Sequence, residues 1–110
     1  MVVGSGIIDI FIPGSRSLKE KRGVLSRIIK RTQNEFNISI AEVGDNDNWQ
    51  RSRIGISVVG NDRRYIEGKI DHVIHFIDDL MIAEVIGTKM EIVSISADAG
   101  DDVYEEGKYD

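Results

Sequence analysis

The stretch Ile7-Ile8-Asp9-Ile10-Phe11-Ile12-Pro13-Gly14-Ser15-Arg16-Ser17-Leu18-Lys19-Glu20 changes periodicity midway, and that change decides the fold. Up to Ile12 the period is two. Ile8, Ile10 and Ile12 fall on one side and Ile7, Asp9 and Phe11 on the other, which predicts a strand over residues 2–12. Pro13-Gly14 ends it, because proline brings no N–H to a ladder and glycine accepts turn geometry. Ser17 then reads as a helix N-cap, and Glu20 three residues on completes a capping box. Beyond it the spacing is helical. Leu18, Leu25, Ile29, Thr32 and Phe36 share one side, flanked by Val24 and Ile28, while Lys19, Arg27, Lys30 and Arg31 face the other way. Gly23 lowers helix propensity by roughly 1 kcal/mol, so a close packing contact is expected there.

Further along, Asn37–Val43 predicts a second strand and Arg51–Gly60 a third. The polar cluster Gly44-Asp45-Asn46-Asp47-Asn48 joins them as a hairpin. Asn61 or Asp62 caps a second helix reaching about Leu80, with Ile66, Ile70, Val73, Ile77 and Leu80 as its apolar stripe and Ile74 and Met81 beside it. Residues 82–95 predict a fourth strand, broken or bulged near Gly87. The order β-α-β-β-α-β, with right-handed crossovers, gives an α+β, ferredoxin-like fold: a four-stranded antiparallel sheet with both helices on one face.

The chain's length of 110 residues suits one small domain, expected over residues 1–96. Without cysteine it has no disulfide, thiolate nucleophile or Cys-ligated zinc. No apolar run approaches the roughly 20 residues of a membrane helix, and the N-terminus lacks the basic region of a signal peptide. No membrane association and a cytoplasmic location are therefore the default expectation. The net charge of −5 is unevenly spread. Residues 97–110 carry six acids against Lys108, and their composition predicts an acidic, flexible tail. Residues 16–31 instead hold seven basic residues against the single acid Glu20.

Arg16, Lys19, Lys21, Arg22, Arg27, Lys30 and Arg31 are thus the candidate nucleic-acid contacts, with Arg51 and Arg53 on the third strand as secondary ones. A helix face of one sign suits a phosphate backbone, whereas a merely solvated face usually mixes signs. The turn Gly14, Ser15 and Ser17 is a candidate anion site at a helix N-terminus, besides its capping role. Trp49 reads first as a structural or interface anchor and second as a base-stacking platform. RNA-recognition motifs stack bases on third-strand aromatics. Arg51–Val59 contains none, so Ile7, Phe11 and Val59 read instead as a candidate interface, covered in a homodimer. Asp45–Gln50 lacks the glycine of a calcium loop, and His72 and His75 read as surface residues, so neither a metal nor a cofactor is expected. No catalytic set is recognisable. The acylphosphatases share this topology, but their local signature around Arg16 and Asn61 is missing, and the chain is expected not to be an enzyme.

Ser17-Leu18-Lys19-Glu20-Lys21-Arg22, Phe36–Val43 and Asp47-Asn48-Trp49-Gln50-Arg51 resemble the corresponding stretches of the YlxP-like family (DUF503), small bacterial proteins of unestablished function, over about residues 2–95. The resemblance implies a ferredoxin-like fold. It also implies a link to translation, because in many bacteria the family's gene neighbours those of initiation factor 2 and ribosome-binding factor A. Basic helix and resemblance together lead to the expectation of a non-catalytic protein bound to RNA or a ribosomal particle. The alternative is a dimeric protein-interaction or small-ligand module of the ACT-like sort. In either case the acidic tail is expected to compete for the basic helix.

Overall fold

The computed structural model describes residues 1–96; the acidic segment expected to be a tail lies outside them. The strands are β1 (Val2–Phe11), β2 (Ser39–Gly44), β3 (Arg51–Gly60) and β4 (Glu84–Ser94), and the helices are α1 (Leu18–Glu35) and α2 (Arg63–Asp79). They form one sheet in the order β2-β3-β1-β4, every pairing antiparallel. This is the predicted ferredoxin-like βαββαβ arrangement. β1 is an inner strand bonded on both sides. Val2 sits opposite Gly60 of β3 and Ser94 of β4, and Phe11 opposite Arg51 and Glu84.

Alternation makes the core. Ile8 and Ile10 of β1, Ile12 just after it, and Ile54, Ile56 and Val58 of β3 are buried together with Leu25 and Ile28 of α1 and Ile66, Ile70, Val73 and Ile77 of α2. Each such burial contributes about 1.5–3 kcal/mol. Gly4 lets α2 settle on the β1 backbone: a Cβ there would lie 2.7 Å from Ile70 Cδ1 and closer still to Ile66. Two bulges depart from regular pairing. Ile86 is the extra residue of β4 opposite Asp9/Ile10, one position from the expected Gly87, and Val43 is the extra residue of β2 opposite Arg53/Ile54.

Several expectations are corrected. β2 begins at Ser39 rather than Asn37, and β4 at Glu84 rather than residue 82. Met81 does not join the stripe of α2, because it follows the helix in left-handed backbone (φ 57°) and points into solvent. Gly23 has no packing role: nothing lies within 4 Å of where its Cβ would be. The buried face of α1 runs through Lys21, Leu25, Ile28 and Thr32, rotated from the expected stripe so that Ile28 lies at its centre and Ile29 at its flank. Thr32 is tolerated there because its hydroxyl donates to the Ile28 carbonyl at 2.7 Å.

Candidate nucleic-acid interface

The entry to α1 is tightly bonded. Ser17 takes extended backbone and its Oγ accepts the Glu20 N–H at 3.1 Å, as an N-cap should. The Glu20 carboxylate accepts the N–H of Arg16, not that of Ser17, so the expected box closes one residue earlier. Ser15 is buried; its N–H donates to the Ile12 carbonyl and its Oγ to the Ser17 carbonyl. Gly14, at φ 83°, supplies the left-handed turn. Gly14, Ser15 and Ser17 therefore build a cap, in which the Ser15 and Arg16 N–H groups are bonded internally and the Glu20 carboxylate faces the turn.

Lys21 is a second correction. It is only 1% exposed. Its Nζ donates to the carbonyls of Asp45 (2.7 Å), Asn46 (3.2 Å) and Arg51 (3.2 Å) and pairs with Glu42 Oε2 at 3.2 Å. Its position explains this: 21, 25, 28 and 32 share one helix face, so the ammonium must be buried and must find acceptors. The turn between β2 and β3 supplies them. Lys21 thus pins that turn to α1 and offers nothing to a phosphate.

Arg53 is also engaged. It stands on the sheet face away from the helices, opposite Asp9 in the β1–β3 register, with Nε 2.7 Å from Asp9 Oδ1. That hydrogen bond, and the charge of Asp9 behind it, hold the guanidinium even more firmly protonated than an ordinary arginine. Arg51 is exposed on the same face; its N–H donates to Asn48 Oδ1 at 2.9 Å and fixes the strand entry.

What remains is a compact set. Arg16, Lys19, Arg22, Arg27, Lys30 and Arg31 are all exposed, and among the described residues none has a carboxylate within ion-pair distance. On α1 they cover the outward half-turn. Arg22 and Lys30 border the groove toward β2, and Arg27 borders the groove toward the Pro13–Ser15 turn. Such a surface offers several independent cations to a polyanion without first breaking ion pairs.

The other candidates are dispersed. Trp49 is 56% exposed in the β2–β3 connection and is no core anchor. Ile7, Phe11 and Val59 lie on the open sheet face, where Val59 is well exposed. His72 meets the Phe36 ring edge-on at 5.4 Å, and His75 Nδ1 lies 2.8 Å from the Asp71 carbonyl. Among the described residues no three acidic or histidine side chains are grouped to hold a metal ion. No described helix is long and apolar enough to cross a membrane. The sequence reading passed over Arg64, Tyr65 and Lys69 of α2, which stand beside the end of α1. Their only local signal is the i, i+4 spacing of Tyr65 and Lys69.

The family model described as protein of unknown function (DUF503) matches residues 3–90. The uncharacterized protein YlxP of Bacillus subtilis is 41% identical over 90 residues, covering 82% of this chain and 98% of that protein. Among solved structures, the chain is similar to a dimeric ferredoxin-like protein from an uncultured marine organism (11% identity, TM-score 0.46, 88% of this chain and 100% of that one). It is likewise similar to the de novo designed protein Foldit4 (16% identity, TM-score 0.46, 86% and 98%).

Proposed function

This chain belongs to the DUF503 family of proteins of unknown function, and we propose that it is a non-catalytic RNA-binding protein that meets ribosomal RNA or a ribosomal particle through the outer face of α1. The observation that carries this reading is the set of six exposed cations with no acidic partner among the described residues, Arg16, Lys19, Arg22, Arg27, Lys30 and Arg31. A folded surface normally interleaves signs; keeping one sign along a helix stores repulsion that a polyanion relieves. Lys21 and Arg53 are not part of it, and Arg51 serves as a peripheral contact.

Binding of this kind is driven by counterion release. With four or five phosphates engaged, log K falls with log salt at a slope of about −3 to −4. The test is co-sedimentation with purified ribosomal subunits over a salt series, beside a variant carrying Arg27→Glu, Lys30→Glu and Arg31→Glu. All three side chains are exposed, so the variant keeps its fold. Salt-sensitive association with one subunit, lost in the variant, supports the reading. Equal association by both proteins, or none at low salt, overturns it.

A second reading rests on the open sheet face, where Val3, Ile7, Phe11, Val43, Val59 and Val93 leave an apolar surface around Ser5, Ser57 and Gly55. Apolar sheet surface of this kind suits a second copy of the chain. Light scattering behind size-exclusion chromatography decides it: a dimer broken by Ile7→Glu or Val59→Glu supports it, and a monomer at high micromolar concentration excludes it.

A further inference from the structure

We infer that the cleft between the end of α1 and the first turns of α2 is a nucleotide subsite, in which a base lies over Gly68 beside Tyr65 while its phosphate meets Arg64 and Lys69. The cleft has a volume of about 480 Å³, within the range of small-ligand sites. Tyr65, Gly68 and His72 follow one another at i, i+3 and i+7, so they share a face of α2, with the glycine between the two rings. The backbone positions of Tyr65 and His72 are about two turns apart, roughly 10.5 Å of helix rise, a span that accommodates a flat base lying along the helix. Phe36 closes the inner wall against His72.

Gly68 leaves the floor of the cleft open. In a helix interior it is less favourable than alanine, yet nothing lies within 4 Å of where its Cβ would be, so no packing contact requires it. Any longer side chain there would stand in the cleft. Tyr65 is 59% exposed, with the Lys69 ammonium 5.9 Å from its ring centroid. An aromatic flanked by a cation offers a base a stacking face and its phosphate a counter-charge. Lys69 makes a long 3.4 Å hydrogen bond to the Asn37 carbonyl, and neither it nor Arg64 has an ion-pair partner among the described residues, although Glu35 lines the same cleft. Glu35 is the acceptor that suits an exocyclic amine on the base.

The nucleotide has two sources, an unpaired residue of a longer RNA strand or a free mononucleotide. The strand source rests on the proposed RNA role of α1: Arg31 is one turn before Glu35, so a strand tracking α1 arrives at the cleft. Binding of a labelled single-stranded oligoribonucleotide and of a duplex of equal length, measured by fluorescence anisotropy, separates the two surfaces. Tyr65→Ala and Gly68→Leu are each expected to weaken single-strand binding by roughly tenfold or more, with duplex binding unchanged. Gly68→Leu raises helix propensity, so circular dichroism will show it folded. The Arg27, Lys30 and Arg31 reversal weakens both ligands. If the two cleft variants hold the single strand as wild type does while the reversal loses it, the strand subsite is overturned and the RNA reading stands. If wild type holds neither RNA, the RNA reading falls, and titration of adenosine monophosphate into isotope-labelled protein decides the cleft alone. Shifts at the Gly68 and His72 amides, abolished in Gly68→Leu, establish a mononucleotide site. Their absence overturns the inference.

Discussion

α1 and α2 are the same device used twice, with different surfaces. They have 18 and 17 residues, each follows an N-cap whose side chain accepts an amide three residues on, and each has glycine as its sixth residue, solvent-facing and packed against nothing. Their buried faces correspond as well: Leu25 with Ile70, and Ile28 with Val73. They diverge in two places. The fourth residue is Lys21 in α1 and Ile66 in α2, both fully buried. The outer face of α2 balances Arg63, Arg64 and Lys69 against Glu67, Asp71, Asp78 and Asp79, while that of α1 is cationic from Lys19 to Arg31 apart from Glu20. A mixed-sign surface is therefore enough for such a helix to fold and pack here, and the charge on α1 needs an explanation outside folding.

The fourth position gives the strongest way to break the correspondence. Lys21→Ala takes a cation from Glu42 and a buried donor from three carbonyls, and is expected to cost about 3 kcal/mol in urea denaturation. Ile66→Ala costs a similar amount, about 3 kcal/mol, by opening a cavity. The two differ in rescue: Lys21→Met combined with Glu42→Leu recovers much of the loss, since an apolar pair can replace a buried ionic one. A double variant as unstable as Lys21→Ala would show that the three carbonyls and the buried Ser52 hydroxyl, which donates to Glu42 at 2.6 Å, dominate over the charge of Glu42. Gly4→Ala probes the close seat of α2 and is expected to cost about 1–3 kcal/mol by overpacking, whereas no comparable penalty arises on the α1 side. The smallest effects come from the matched glycines. Gly23→Ala and Gly68→Ala should each stabilise by about 0.5–1 kcal/mol, read as a rise in denaturation midpoint. A loss at either position would mean that the glycine has a structural task after all.

Most of the fold was legible where period and punctuation agreed: the alternation through Ile8, Ile10 and Ile12, the stop at Pro13-Gly14, the caps at Ser17 and Asp62 and the irregularity beside Gly87. The site was legible only as charge. Hydropathy sends a lysine to the surface, so the face shared by positions 21, 25, 28 and 32 went unread, although that spacing was present and a polar turn lay 24 residues on. The pairing of Arg53 with Asp9 required the β1–β3 register, which local pattern does not supply. The cleft of Tyr65, Gly68 and His72 needs Phe36, the C-cap of the other helix, and only the packed structure joins them.

The inner position of β1 also has a consequence for biosynthesis. The first of these four strands to be translated waits for both of its neighbours: Gly60 and then Ser94 must be made before Val2 has both partners. Until β4 is complete, one side of β1 displays unpaired amides and carbonyls, and Ile8 and Ile10 lack part of their cover. Non-local pairing of this kind slows folding, and bare edges invite association between nascent chains. Chains stalled or truncated before Thr88 should accumulate in the insoluble fraction, whereas release after Ser94 restores solubility in a pulse-labelling experiment.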